Sequence, residues 1–179
     1  VPFGDHNDFT APLPSTPTLL NIFPIPDNPD YLIDKALASD LSLVEKIRFD
    51  PVNICNMKCV FCPSNFSSRK LDITPSKFKT LLLSVKPTLK RLIFGCAYEA
   101  TLSSHLSEFA EAIQSVYSDG VQPVTSFVSN GLRLSTIDFT PFEGLVDWIH
   151  ISIHSHKDDI FSSLQKADLN TVVKSVLKF

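Results

Sequence analysis

Asn53-Ile54-Cys55-Asn56-Met57-Lys58-Cys59-Val60-Phe61-Cys62-Pro63 decides how this chain is read. Three cysteines fall within eight residues, spaced C-x3-C-x2-C. Just before them, Lys46-Ile47-Arg48-Phe49-Asp50-Pro51-Val52 alternates as a strand does. The cysteine loop therefore leaves the C-terminal end of a strand, where α/β folds assemble their sites.

Downstream the pattern repeats. Thr74-Pro75 marks a helix start, with Thr as N-cap and Pro in the first turn. Phe78, Leu81, Leu82 and Val85 follow at helical spacing. Lys90–Gly95 reads as a second strand and Ser104–Tyr117 as a second helix, closed by Asp119-Gly120. Val124–Val128 is a third strand, ending at Asn130-Gly131, and a weakly marked helix is expected over 136–144. Asp147–His154 is a fourth strand, and Leu169, Val172, Val173, Val176 and Leu177 mark a last helix. Strand and helix in alternation imply βαβ units and a parallel sheet. The fold class is α/β, an open sheet or part of a barrel.

Upstream, seven of the 13 prolines sit within residues 1–30, so this stretch is expected to be an extended arm. Its apolar residues, Leu19, Leu20, Ile22, Phe23 and Ile25, suit packing on a surface. A short helix is expected near Tyr31–Ala38. The division is thus an arm with a short helix over 1–44 and a core over 45–179.

A chain of 179 residues can bury a sizeable single core. A net charge of −3 gives no support for a nucleic-acid partner. No apolar run approaches the roughly 18 residues that span a bilayer. Clustered cysteines favour metal binding in a reducing compartment over a secreted disulfide framework, so an intracellular, cytoplasmic protein is expected. The first residue is Val1, and the chain stops at Phe179 inside an amphipathic pattern, so a piece of something longer is expected.

Three thiolates on one short loop can converge on one metal centre. A [4Fe–4S] cube has four irons, so three cysteines leave one iron open to an exchangeable ligand. Zinc bound by three cysteines and a histidine, a Cys59–Cys62 disulfide, and an accidental cluster of buried cysteines are the competing readings. Cys96 stands apart and reads as a small buried residue.

The spacing, with aromatic Phe61 directly before the last cysteine, resembles the signature of the radical SAM superfamily. The resemblance covers about residues 45–179 and is strongest at the cysteine loop. It implies a [4Fe–4S] cluster on Cys55, Cys59 and Cys62, whose fourth iron is chelated by the amino and carboxylate groups of S-adenosyl-L-methionine (SAM). It further implies reductive cleavage of SAM to methionine and a 5′-deoxyadenosyl radical, which abstracts hydrogen from an unknown substrate. An electron donor of the flavodoxin or ferredoxin kind is implied as partner. The alternative is a non-catalytic iron–sulfur or zinc-binding module.

Later segments resemble the family more loosely. Gly95-Cys96-Ala97-Tyr98-Glu99-Ala100 stands where the family carries a Gly-Gly-Glu-Pro-like stretch, with Ala100 in place of the proline. Gly95 would let the backbone approach a ligand, and Glu99 would accept a bond from the SAM ammonium. Asn130 lies in a segment resembling one that lines the SAM pocket. On the fourth strand, Ile149, Ile151 and Ile153 should meet the helices, with Trp148, His150, Ser152 and His154 turned inward. Ser152 and His154 match the region that serves the SAM ribose, His154 could instead bond substrate, and Phe61 falls near the adenine by analogy. A zinc site on His150, His154 and His156 is the lesser option. The fold implied is a partial (β/α)6 barrel of which four βα units are visible. The missing fifth and sixth strands would leave the fourth as an open edge.

Overall fold

The structure is a computed structural model that describes residues 28, 30–62 and 70–179. Apart from Asn28 and Asp30, the proline-rich arm lies outside the described residues. Four strands, β1 (Lys46–Phe49), β2 (Arg91–Phe94), β3 (Val124–Ser129) and β4 (Trp148–Ile151), form one sheet in the order β1-β2-β3-β4, every neighbouring pair parallel. The helices are α1 (Tyr31–Leu37), α2 (Pro75–Val85), α3 (Leu106–Tyr117), α4 (Asp158–Gln165) and α5 (Leu169–Lys178). This is the expected α/β architecture, a four-stranded parallel arc of a partial (β/α) barrel.

Register aligns the core. Phe49 pairs with Phe94, Phe94 with Phe127, and Phe127 with Ile149, making one row across the sheet. Because side chains alternate along a strand, this row faces a single side. There it meets Phe78 and Leu82 of α2 and Phe109 and Ile113 of α3, all fully buried. The Phe49 and Phe78 rings stack at 4.4 Å, and Phe94 and Phe127 stack at 5.8 Å. The opposite face carries Arg48, Ile93, Ser126 and Trp148 in register. Trp148, on the edge strand, is 57% exposed.

Helix α1 joins the body through Asp30, whose carboxylate oxygens accept Thr74 N and Thr74 Oγ1, each at 2.9 Å. Thr74 and Pro75 do begin α2, but the Thr74 hydroxyl donates to Asp30 and makes no side-chain cap. A second, smaller core gathers Met57, Phe161, Leu169 and Val172, with Cys55 and Cys59 packed on it. It lies beneath the cysteine loop and is built by α4 and α5.

Three expectations need correction. The helix expected over 136–144 is two short 3-10 turns, Leu134–Thr136 and Thr140–Phe142; Pro141 has no N–H with which to extend the second. The fourth strand stops at Ile151, so Ser152, Ile153 and His154 lie beyond it. Ser152 N still reaches Ser129 O at 2.9 Å, but Ile153 N then turns back to Ile151 O at 3.1 Å, which ends the alternation and leaves Ile153 exposed. Helix α4 was not anticipated, and Val173 and Leu177 of α5 face outward. Among the described residues, no helix is long and apolar enough to cross a membrane.

Candidate functional site

The cysteine loop is fastened along its length. Its start is held by an antiparallel bridge between Val52 and Asp72, with Leu71 N donating to Asn53 Oδ1 at 2.7 Å. Its middle receives Glu99 N on Ile54 O at 3.0 Å, which couples it to the loop after β2. Its end is held by α4, where Val60 N donates to Leu164 O at 2.8 Å. Met57 is buried in the smaller core, and this anchors the loop from below.

The three thiols lie half-buried on this frame. Burial pushes the Cys55 thiol up, and the charges of Glu99 and Cys62 add to the rise. The Met57 N–H at 3.4 Å and the Asn130 amide at 3.6 Å from its sulfur pull the other way. Burial also raises the Cys59 thiol, with Cys55 and Cys62 as further causes. Cys55 and Cys59 therefore feel the charge of neighbouring cysteines, so a cation brought beside them would favour their deprotonated forms. Among the described residues, no three His, Cys, Asp or Glu side chains form a ready site for a single metal ion. A four-iron cube puts each cysteine on a different iron and so spans more space than one ion does. The donor set, three thiols on one anchored loop at the C-terminal end of the sheet, fits such a cube.

Glu99 is the centre of the polar network. It is 2% exposed. Its Oε1 accepts Thr101 N at 3.2 Å, Thr101 Oγ1 at 2.7 Å and Ser129 Oγ at 2.9 Å. Its Oε2 accepts Asn130 N at 2.8 Å. All four partners are donors, so the carboxyl acts as acceptor throughout. The same residue ties together the loops that follow β1, β2 and β3. Asn130, also buried, then spans from Glu99 to Cys55.

Gly95 has φ +74°, and a Cβ there would stand 2.5 Å from Val128 O. Only glycine fits, because the loop after β2 crosses directly over β3. Asp50 completes that loop. Its Oδ1 accepts Cys96 N at 2.7 Å and Tyr98 N at 3.3 Å, and its Oδ2 accepts Ala97 N at 3.2 Å. Sequence reasoning missed Asp50, because a carboxylate at a strand end does not reveal partners more than 45 residues away. Burial, with Asp50 and Cys62 nearby, raises the Tyr98 hydroxyl. Cys96 is exposed, with Arg48 Nη1 3.5 Å from its sulfur. The burial expected for Cys96 is not found, because the residue lies on the loop past β2 and outside the packed sheet.

Phe61 is 54% exposed and meets the His154 ring edge-on at 4.8 Å. These two expected site residues are thus brought together. Ser152 is half-buried just past β4. Gln165 was also missed. It is 1% exposed; its Oε1 accepts His154 N at 3.0 Å and its Nε2 donates to Ser152 O at 2.9 Å. Its Nε2 also stands 3.6 Å from Met57 Sδ. Replacing Gln165 by leucine leaves His154 N and Ser152 O without partners. The expected loss is about 2 kcal/mol in urea unfolding, with faster hydrogen exchange at the His154 and Val60 amides. A cavity of about 550 Å³ opens beside β1 and α1. Its walls are mainly apolar, and Asp50, Asn53 and Tyr98 bring its inner end to the base of the cysteine loop.

No protein-family model matches the chain, and no curated protein matches its sequence. A solved structure does match: anSMEcpe with AdoMet and the Cp18Cys peptide bound. The TM-score is 0.55 at 17% identity, over 75% of this chain and 39% of that one. Over the matched part, the chain shares its fold with that AdoMet-bound protein. It spans well under half the length of that protein, and at this identity the likeness extends to the fold alone.

Proposed function

We propose that residues 45–179 belong to a radical SAM enzyme core. Cys55, Cys59 and Cys62 would hold a [4Fe–4S] cluster, with SAM and an unidentified substrate bound beside it. The observation that carries the reading is the loop itself. Three cysteines stand at the C-terminal end of β1, joined to Glu99 and Asn130, in a fold shared with an AdoMet-bound enzyme. When bound, the cluster supplies the electron for reductive cleavage of SAM, and hydrogen abstraction from the substrate follows. A flavodoxin- or ferredoxin-like protein would deliver that electron.

The chain's own residues would position the reactants. The Glu99 Oε2 atom accepts one protein donor, so an sp2 oxygen there retains capacity for the SAM ammonium. Gly95 removes the side chain that would otherwise collide with β3, and Asp50 holds the following amides in place. Phe61 offers an exposed ring to the adenine, while Ser152 and His154 are the candidates for ribose or substrate.

A second reading, a cluster-binding module that does not cleave SAM, has one observation in its favour. Glu99 is buried and already engaged by four protein donors. Anaerobic reconstitution with iron and sulfide, then reduction with SAM present, separates the two. The enzyme reading expects 5′-deoxyadenosine that disappears in Cys55→Ala. A cluster whose EPR spectrum ignores SAM supports the module, and stoichiometric zinc without cluster uptake overturns both.

A further inference from the structure

We infer that Asn130 donates a hydrogen bond to the Cys55 sulfur and thereby sets the reduction potential of the cluster held there, an inference that rests on the reading above. The side chain is oriented without ambiguity. Leu132 N donates to Asn130 Oδ1 at 3.0 Å, which fixes the oxygen on the side of its own turn. The amide nitrogen must then face the other way, and it has two hydrogens to place. One goes to Asn56 Oδ1 at 2.6 Å and the other points at Cys55 Sγ, 3.6 Å away. The backbone of Asn130 is held too, because its N–H donates to buried Glu99. Every polar atom of the side chain is thus committed within the protein. That makes Asn130 a positioning and tuning group toward Cys55.

The consequence follows from charge. Reduction adds one electron from an external donor, and no bond is made or broken. The added negative charge spreads onto the thiolate sulfurs. An N–H directed at a sulfur stabilises that charge, so it favours the reduced form. Met57 N donates to the same sulfur at 3.4 Å, so Cys55 carries two such donors, one from the backbone and one from a side chain. Only the side-chain donor can be removed by substitution.

Wild type, Asn130→Asp and Asn130→Leu are reconstituted anaerobically, assayed for iron and sulfide, and titrated with dithionite under EPR. Aspartate keeps the oxygen that Leu132 N needs but turns a carboxylate toward the sulfur. Leucine removes the donor without adding charge. Asn130→Asp is expected to move the reduction equilibrium at least tenfold toward the oxidised cluster, about 59 mV for one electron. Asn130→Leu is expected to move it in the same direction by less. Either variant holding wild-type iron suffices for the comparison, and neither measurement needs SAM turnover. A wild-type potential in the variants overturns the inference and leaves the proposed function standing. Loss of the cluster from both variants also overturns it, by making Asn130 an assembly residue. A wild type that takes up no cluster defeats the proposed function, and this inference with it.

Discussion

Replacing Glu99 by alanine lowers stability by about 3–5 kcal/mol in urea unfolding of the metal-free protein. Four donors lose their acceptor at once: Thr101 N, Thr101 Oγ1, Ser129 Oγ and Asn130 N. The two hydroxyls can rotate toward other acceptors. The two backbone N–H groups cannot, and each buried unsatisfied donor costs about 1–3 kcal/mol. The removed carboxylate also leaves a void, since the side chain is almost wholly enclosed. Glu99→Gln should cost less and act more locally. Its oxygen can stay at the position of Oε1, which takes three donors, while its NH2 replaces Oε2 and confronts Asn130 N. Hydrogen exchange should then accelerate mainly at the Asn130 amide. A loss below about 1 kcal/mol in Glu99→Ala would refute this network, because two orphaned backbone donors together cost at least about 2 kcal/mol.

The second large effect lies in the sheet. Phe94→Ala is expected to cost about 3–5 kcal/mol, or on the order of 10 °C in Tm for a chain of this size. Phe94 has no exposed surface, and its ring meets those of Phe49, Phe78, Phe109, Phe127 and Phe142 at centroid distances from 5.4 to 6.3 Å. It joins both helices of the cover to three strands of the sheet through a single side chain. Phe94→Leu keeps much of the volume and should cost about 1.5 kcal/mol or less. Equal losses in the two variants would mean that the aromatic contacts, and not the filled volume, carry the stability. Phe94 directly precedes Gly95, so thermal melts should accompany any activity assay on these variants.

Much of the fold was legible because it depends on local periodicity. Strands were read over 46–52, 90–95, 124–128 and 147–154, the first and last of them through alternation, and α2 and α3 through apolar stripes. Parallel pairing followed from the order of elements. What failed was local structure decided by tertiary contact. The segment Asp147–His154 alternates throughout, yet the strand ends at Ile151, because Gln165 captures Ser152 O and His154 N from helix α4. Helix α4 was overlooked for the same reason, since its one strong anchor, Phe161, buries against Met57 of the distant cysteine loop.

The site divides in the same way. Cys55, Cys59 and Cys62 are neighbours in the chain, so their spacing alone marked them as one constellation. Glu99 and Asn130 were singled out as possible ligand contacts. Their shared role as a buried bracket around Cys55 needed the folded chain. Asp50 and Gln165 carried no signal at all, because a polar residue's partners 11, 13 or 46 positions away leave no trace in either local sequence. Short-range pattern was enough to specify the parallel α/β sheet and the loop that bears the three thiols. Which buried polar groups fasten that loop and aim N–H groups at its sulfur emerges on folding, since hydrogen bonds across a core depend on where strands and helices finally lie.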